Sequence, residues 1–154
     1  MKKLPLHITN GSVLTNFLYD LEIVGDKLTW EEMLCEGPTV EDVNSDEFLK
    51  VRKSFFEKFY DVDLDIDKIK IELDKLNHLE KYSEIVLWFE YDLFCHINMI
   101  AVISLLKQKE ITLPIYLVCS GRIEGSKSLK GLSELTPSQL INQYKNKVLL
   151  NKED

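Results

Sequence analysis

The sequence predicts an α/β fold, in which a small, mostly parallel sheet of about four strands is flanked by helices in a Rossmann-like arrangement. Strand and helix patterns alternate along the chain, and this alternation is typical of parallel strands joined by crossover helices. Two uninterrupted apolar runs of strand length, EIVLWF (84–89) and PIYLVC (114–119), indicate strands covered on both faces. At 154 residues, without repeats or low-complexity linkers, the chain is expected to form one domain over residues 1–154.

The first two elements are a strand and a helix. LPLHI (4–8) predicts the strand, which ends at the turn signal Asn10-Gly11. SVLTNFLYDL (12–21) predicts the helix, with Ser12 as its N-cap. The turn between them places a helix start directly after a strand end.

A short second strand and a helical insertion follow. DKLTW (26–30) predicts the strand, and Gly37-Pro38 stops any helix that begins after it. Two helices are then predicted within residues 46–81, as an insertion in one crossover or a small lobe beside the sheet. Aromatic residues recur at helical spacing in the first helix, at Phe48, Phe55, Phe56 and Phe59. One apolar face of the second helix is formed by Ile66, Ile69, Leu73 and Leu76.

The second half of the chain predicts two buried strands and two helices. Between the strands, DLFCHINMIAVISLLKQ (92–108) predicts a helix capped by Asp92. A glycine-bearing loop follows the fourth strand, and TPSQLINQYKNKVLL (136–150) predicts the last helix. Thr136 and Gln139 have the spacing of a capping box, with a proline at the first helical position.

Charge and cysteine content exclude several classes of function. The formal net charge of −7 argues against binding a nucleic-acid backbone, although a local basic pocket for one small anion is compatible with it. Cys35, Cys95 and Cys119 lie far apart among apolar neighbours, so reduced thiols and no zinc site are expected. The N-terminal residues lack a signal-peptide core, and the longest apolar stretch, 93–106, is interrupted and too short for a membrane span. We therefore expect a cytoplasmic protein without membrane association.

Polar residues follow each of the four predicted strands, at the edge of the sheet where ligands bind in open α/β folds. The predicted ligand-binding residues among them are Asn10, Gly11, Ser12, Trp30 and Gly121. The Asn10-Gly11-Ser12 turn could offer backbone N–H groups to a phosphate or carboxylate. The alternative is a plain strand-to-helix turn, because a single glycine is not the dinucleotide-binding fingerprint.

Glu90 and Asp92, after the third strand, are the predicted catalytic residues, as a general base or as ligands of a divalent metal. The alternative for Asp92 is helix capping alone. If Glu90 and Asp92 act together, we expect the chain to bend at Tyr91, between them.

Arg52 and His7 are two further predicted ligand-binding residues. Arg52 lies on the aromatic stripe of the first inserted helix, and a charged residue on a core-facing stripe needs a partner. Its guanidinium is expected to contact Glu90, Asp92 or a bound anion. The alternative is an arginine at the edge of the stripe whose charge reaches solvent. His7 lies within a strand, where the alternative is a core histidine with a satisfied ring nitrogen.

Five stretches, in order along most of the chain, carry a family resemblance. They are HITNG (7–11), LTWEEMLCEGP (28–38), RKSFF (52–56), EIVLWFEYDLF (84–94) and LTPSQL (135–140). Together, and mainly through CEGP and LWFEYD, they resemble a bacterial family described as domain of unknown function 1835. The resemblance implies a cytoplasmic α/β domain and no established activity.

The resemblance also implies which positions recur in the family. Carried over to this chain, these are His7, Asn10, Gly11, Trp30, Glu36, Gly37, Pro38, Arg52, Trp88, Glu90, Asp92 and Gly121. On this basis Glu36 joins the predicted ligand-binding residues. The chain departs from the family pattern at Ser12, where an acidic residue is favoured, at Tyr91, where histidine is frequent, and near Cys95, where an acid is frequent. These departures weaken the case for metal or acid–base chemistry.

Two functions are compatible with these features. In the first, the protein is an enzyme or binding domain for a small anionic molecule, phosphorylated or nucleotide-like, which lies over residues 10–12 with its charge held by Arg52. In the second, it is a non-catalytic binding or scaffold module, and Arg52, Glu90 and Asp92 form a structural ion-pair network. The helix at 92–107 is apolar on more than one face, so it packs against sheet and insertion or against a second subunit in a homo-oligomer. The sequence identifies no cofactor.

Overall fold

The computed structural model describes residues 2–151 and residue 153. Within them lies a five-stranded sheet in the order β2-β1-β3-β4-β5, and all neighbouring strands pair in parallel except β4 and β5. The strands are β1 (Leu4–Asn10), β2 (Asp26–Trp30), β3 (Tyr82–Phe89), β4 (Ile115–Cys119) and β5 (Val148–Leu149). The predicted α/β class with a mostly parallel sheet is confirmed.

Five α-helices in the described part of the chain flank the sheet. They are α1 (Ser12–Asp20), α2 (Asp46–Tyr60), α3 (Ile66–Asp74), α4 (Leu93–Gln108) and α5 (Pro137–Lys145). Three short 3₁₀ segments accompany them at Lys75–Asn77, Leu79–Lys81 and Leu132–Glu134. Helices α2 and α3 form the predicted insertion between β2 and β3.

The sheet is covered on both faces. One face packs against α2, α3 and α4 through residues that include Leu6, Leu28, Trp30, Leu87 and Phe48. The other packs against α1 and α5 through residues that include Leu14, Leu18, Val86, Trp88 and Leu140. Burial of both faces explains why the central strand, β3, is an uninterrupted apolar run.

The carboxyl ends of the parallel strands lie side by side. Asn10 pairs with Trp30 across β1 and β2, and Phe89 pairs with Cys119 across β3 and β4. The polar residues that follow these strands therefore share one edge of the sheet. This is the position that the fold class predicts for a ligand site.

Two predicted helix starts are confirmed, and one is wrong. The Asp92 carboxylate accepts from the Cys95 N–H at 3.0 Å, and Thr136 caps α5 in a capping box with Gln139. Ser12, however, is the first helical residue of α1 rather than its N-cap. The N-cap is Gly11, whose φ of 94° is a backbone conformation that glycine adopts readily.

The last predicted helix extended too far. Helix α5 ends at Lys145, and Val148 and Leu149 form β5, which pairs antiparallel with β4. The Leu150 N–H donates to the Ile115 carbonyl at 2.9 Å. The edge of β4 offers backbone hydrogen bonds to the end of the chain, and helical periodicity does not reveal such a tertiary partner.

The insertion covers the open edge of β2. The Thr29 N–H donates to the Glu72 carboxylate at 3.0 Å, and Lys75 Nζ donates to the Lys27 carbonyl at 2.7 Å. Lys75 and Glu72 also form an ion pair at 2.9 Å. These contacts satisfy backbone groups that an edge strand would otherwise present to another chain. They also hold α3 beside the carboxyl end of β2.

Helix α4 has an apolar surface that neither the sheet nor the insertion covers. Leu93 is 75% exposed and Ile100 is 62% exposed. The pairing of this surface with a second subunit remains a prediction. Among the described residues, no helix is long and apolar enough to cross a membrane.

Candidate ligand-binding site

A cavity of about 150 Å³ lies where the carboxyl end of β2 meets the start of α1 and the helical insertion. Apolar side chains of the insertion form part of its wall, namely Phe48, Leu49, Leu64, Ile69 and Leu73. Polar and aromatic residues on its other sides include Ser12, Thr15, Thr29, Trp30, Asn44 and Lys68. Two of the predicted ligand-binding residues, Ser12 and Trp30, therefore lie at the same cavity.

Trp30 presents an unsatisfied donor at this cavity. The residue is 4% exposed, and its indole Nε1 is buried without a hydrogen-bond partner among the residues that the structure describes. The side-chain Nδ2 of Asn44 is in the same state. A buried donor without a partner costs about 1–3 kcal/mol. Both groups therefore favour a ligand that brings hydrogen-bond acceptors to the cavity wall.

Helix α1 begins at the cavity without a capping side chain. Its N-cap, Gly11, provides no side-chain hydrogen bond, and its first turn contains no acidic residue. A Cβ placed on Gly11 would meet no described atom within 4 Å, so the space beside this turn is open. Since the first amides of a helix have no intrahelical acceptor, the positive end of α1 favours an anion.

Three threonine hydroxyl groups connect β1, α1 and β2 beside the cavity. Thr15 Oγ1 lies 2.5 Å from Thr9 Oγ1 and 2.7 Å from Thr29 Oγ1. Thr15 Oγ1 also donates to the Gly11 carbonyl at 3.2 Å. Each hydroxyl has one proton and two acceptor lone pairs. Because Thr15 donates its proton to Gly11, Thr29 donates to Thr15 and can only accept from a ligand.

The charges around the cavity are nearly balanced. Glu32 pairs with Arg52, and Glu72 pairs with Lys75. Burial raises the pKa of Glu32, although the hydrogen bond and charge of Arg52 oppose this shift. Lys68 is exposed and forms no ion pair with any described residue. Lys68 is therefore the cation available to a ligand at this cavity.

Arg52 is fully buried, and its carboxylate partner is Glu32 rather than the expected Glu90 or Asp92. Its Nε donates to both carboxylate oxygens of Glu32, at 3.1 and 3.0 Å, and its Nη2 lies 2.9 Å from Oε2. Its remaining hydrogen bonds go to three backbone carbonyls, those of Met33, Glu36 and Pro38. With these partners, the guanidinium anchors the loop after β2 to α2 and is not available to a ligand.

A buried amide network holds the same loop from the other side. Asn98, on α4, donates to the Glu32 carbonyl at 2.6 Å and accepts from the Leu34 N–H at 3.1 Å. It also donates to Asn10 Oδ1 at 3.0 Å, and Asn10 Nδ2 donates to Cys95 Sγ at 3.0 Å. Asn10 thus supports the wall of the site rather than lining the cavity.

Glu90, Asp92 and Cys95 form a second polar cluster, at the end of β3. One side-chain ligand atom from each residue lies within 4.8 Å of the others. The strand ends at Phe89, and the chain bends at Tyr91 and Asp92 before α4. The Glu90 carboxylate lies beside Gly131 and accepts from the Ser133 N–H at 3.4 Å.

This second cluster has the atoms to hold a divalent cation, with two carboxylates and one sulfur. Burial, together with the hydrogen bond and charge of Asp92, raises the pKa of Cys95 to about 12, so the sulfur is a protonated thiol at neutral pH. Partial burial opposes ionisation of Asp92, but the Cys95 N–H and other hydrogen bonds keep its pKa below the usual value. A metal would therefore have to displace the thiol proton.

The other predicted ligand-binding residues lie away from the cavity. His7 is fully buried between the sheet and α5, where Nε2 lies 3.0 Å from the Val24 carbonyl and Nδ1 accepts from Trp88 Nε1 at 3.0 Å. The Glu36 carboxylate accepts from the Tyr60 hydroxyl. Gly121 packs near Tyr91 and forms a bridge to Lys130. These contacts place His7 in the core and give Glu36 and Gly121 structural partners.

Sequence reasoning missed several residues of the cavity, above all Asn44, Lys68 and Thr15. Asn44 and Lys68 belong to the insertion and the segment leading into it, and nothing in local spacing indicates that they meet β2. The residue type at position 44 was one available signal, because asparagine tolerates a positive φ better than most residues. In the structure the φ of Asn44 is 63°.

No family model matches this chain, and neither a curated protein nor a solved structure matches it.

Proposed function

We propose that this protein is a small-molecule-binding domain whose ligand occupies the cavity between the carboxyl end of β2, the start of α1 and the insertion. The observation that carries the proposal is Trp30, a residue of the cavity lining whose buried indole N–H has no described partner. The Asn44 amide and the uncapped start of α1 add further donors to the same space. A set of donors around a small cavity favours a ligand with acceptor atoms.

The ligand in this proposal is a small anion. Its charge is held by Lys68 and the positive end of α1, and not by Arg52 as the sequence had indicated. Glu32 and Glu72 are held in ion pairs, and the third acid of the lining, Glu31, is exposed, so no unpaired buried acid opposes this attraction. The ligand's acceptors meet Trp30 and Asn44.

The enzymatic form of the proposal assigns acid–base chemistry to Glu90 and Asp92. Neither residue is among those that line the cavity, but Asn10 and Asn98 connect their end of the sheet to the cavity wall. Under this form, Glu90→Gln would abolish consumption of a bound ligand, followed by NMR, and leave its dissociation constant unchanged. Equal consumption by the wild type and Glu90→Gln would remove Glu90 from the chemistry.

We also propose that the chain belongs to the bacterial family that it resembles, domain of unknown function 1835, and that the protein is cytoplasmic. Positions implied by the resemblance have related roles around the cavity. Trp30 lines it, whereas Asn10 and Arg52 hold the loop that forms its wall. This shared arrangement supports a common binding function for those positions.

The alternative is a non-catalytic scaffold module. The saturated contacts of Arg52 favour a structural role for this residue. Its partner is Glu32, so a scaffold would rest on this pair and not on Glu90 and Asp92. A scaffold predicts that no small anion stabilises the protein.

Thermal unfolding with a panel of small anions tests the proposal. A ligand at 100 times its dissociation constant should raise the free energy of unfolding by about 2.7 kcal/mol. Trp30→Phe and Lys68→Ala should reduce this gain. Lys50→Ala should keep it, because Lys50 is exposed on α2 outside the cavity lining. Stabilisation that is equal in the wild type and Trp30→Phe would contradict the proposed site.

A further inference from the structure

We propose that the ligand is a compact carboxylic acid with an apolar body, such as a small aromatic or branched aliphatic acid, and not a phosphorylated compound or a nucleotide. This inference rests on the proposed function and names the chemical class that the same cavity accepts. Three properties of the cavity support it, namely its size, its apolar wall and its balance of charges.

The size of the cavity limits the ligand. Its volume is about 150 Å³. An apolar cavity of about this volume accommodates a benzene-sized molecule, whereas pockets for larger ligands measure roughly 300–1,000 Å³. A whole nucleotide therefore does not fit within this cavity, but a molecule with one small ring or a short branched chain does.

The wall of the cavity provides an apolar surface for the body of the ligand. Phe48 and Leu49 come from α2, and Ile69 and Leu73 come from α3. Phe48 and Leu49 are buried parts of the core and not mobile surface groups. Burial of apolar ligand surface against this wall favours binding. A small inorganic anion would leave this contribution unused.

The donors at the cavity match one carboxylate group. Of the three buried side-chain polar atoms without a described partner, Trp30 Nε1 and Asn44 Nδ2 belong to residues of the cavity lining, whereas Ser120 Oγ does not. A carboxylate has two acceptor oxygens for these two donors. Both residues lie at the cavity, together with the start of α1. Hydrogen bonds from these groups would satisfy the two donors at the same time as they hold the anion.

The charge balance disfavours a phosphate dianion. Phosphate sites in proteins typically use arginine forks or several cations, but the Arg52 guanidinium is occupied by Glu32 and backbone carbonyls. Lys68 is the unpaired cation of the cavity lining, and Glu31 lies in the same lining. One lysine beside a carboxylate suits a singly charged ligand better than a doubly charged one.

The two indole N–H groups of the protein allow a direct test by NMR. Trp30 lies at the cavity, whereas Trp88 donates to His7 on the opposite face of the sheet. The two indole signals of the ¹⁵N-labelled protein are assigned with Trp30→Phe and Trp88→Phe. Benzoate and 3-methylbutanoate are then titrated beside benzamide, phenyl phosphate and inorganic phosphate. Benzamide keeps the ring but lacks the charge, and phenyl phosphate keeps the ring but exchanges the carboxylate.

We expect at least one of the two carboxylates to shift the Trp30 indole signal saturably and to leave the Trp88 signal in place. Benzamide and phenyl phosphate should bind at least tenfold more weakly. Lys68→Ala should weaken carboxylate binding severalfold and leave any benzamide binding unchanged, whereas Lys50→Ala should change neither.

The outcomes separate this inference from the proposed function. If phenyl phosphate or inorganic phosphate binds more tightly than both carboxylates at Trp30, the carboxylate class is wrong and the binding function stands. If benzamide binds as tightly as benzoate, the anionic character is wrong. If neither carboxylate shifts the Trp30 signal, this inference is overturned. If the anion panel also fails to stabilise the wild type in thermal unfolding, the proposed function falls with it.

Discussion

Arg52 and Glu32 form a buried ion pair, in which Nη2 of the guanidinium lies 2.9 Å from Oε2 of the carboxylate. Arg52 belongs to α2, and Glu32 belongs to the loop after β2. The pair therefore joins the helical insertion to the edge of the sheet where the strands end. Since Glu32 also lies in the cavity lining, the geometry of the candidate site depends on this contact.

Replacing Arg52 should strongly destabilise the protein. Arg52→Met leaves the Glu32 carboxylate buried without its partner, and such a loss costs about 3–5 kcal/mol of unfolding free energy. Three backbone carbonyls also lose their donor. Urea denaturation measures the change, with Lys50→Met on the exposed side of α2 as the matched control.

The double variant Glu32→Gln/Arg52→Met refines this prediction. It removes the unpaired charge but leaves the carbonyls of Met33, Glu36 and Pro38 without a donor. We therefore expect it to recover only part of the lost stability. Loss of less than about 1 kcal/mol in Arg52→Met would show that the ion pair does not hold the insertion in place.

The two tryptophans should respond differently to the same substitution. Both lose similar ring volume on replacement by phenylalanine, and both are buried. Trp88→Phe also leaves His7 Nδ1 without its donor, whereas Trp30→Phe removes an N–H that has no described partner. We expect Trp88→Phe to be more destabilising by about 1–2 kcal/mol in urea denaturation of the ligand-free protein. Equal losses would mean that the Trp30 indole is satisfied in solution.

The stability of the protein should decrease between neutral pH and pH 4 because of His7. Burial lowers the pKa of His7 from 6.5 to about 4; the Val24 carbonyl opposes this shift, and Lys27 and Lys147 add to it. Between these values the unfolded chain binds more protons than the native protein, so the free energy of unfolding falls as the pH is lowered. The contribution of this one group is about 3 kcal/mol by pH 4.

His7→Gln separates this contribution from the titration of carboxyl groups. Glutamine retains one donor and one acceptor but does not ionise in this range. The wild type should lose more stability than His7→Gln from pH 7 to pH 4, measured by urea denaturation at each pH. Parallel curves for the two proteins would contradict the buried, neutral state of His7.

Glu72 should protect the edge of β2. Glu72→Ala removes the acceptor of the Thr29 N–H and the ion-pair partner of Lys75. We expect a loss of about 1–2 kcal/mol and at least tenfold faster hydrogen exchange at the Thr29 amide. Glu57→Ala, at an exposed position of α2, is the control and should change neither quantity. Unchanged exchange at Thr29 would mean that another group covers this edge.

Much of the fold was predictable because its signals are local. The apolar runs of β3 and β4 follow from burial of both faces, and the capping residues Asp92 and Thr136 act on amides three residues away. The predictions of where α1 starts and where α5 ends were less accurate. At α1 the turn geometry made Gly11 the cap, and at the end of α5 the edge of β4 drew residues 148–149 into the sheet.

The candidate site was predictable in part. The rule that ligands bind at the carboxyl ends of parallel strands placed Ser12 and Trp30 at the correct edge. The position of Arg52 on the aromatic stripe also indicated that this residue needs a partner if it is buried, because a buried charge without a partner is too costly. Its partner could not be deduced, since Glu32, Glu90 and Asp92 all follow strands at this edge and differ only in their three-dimensional distance from α2.

The sequence by itself determined the α/β class and the edge of the sheet at which polar residues gather, because hydrophobic periodicity acts through local chemistry. It left open whether Arg52 is buried with a partner or reaches solvent. Only the tertiary structure decided that Arg52 joins Glu32, twenty positions away, and that Asn44 and Lys68 meet Trp30 around one cavity. These contacts depend on how the insertion closes over β2, and the closure is fixed by packing and hydrogen bonds between segments far apart in the chain.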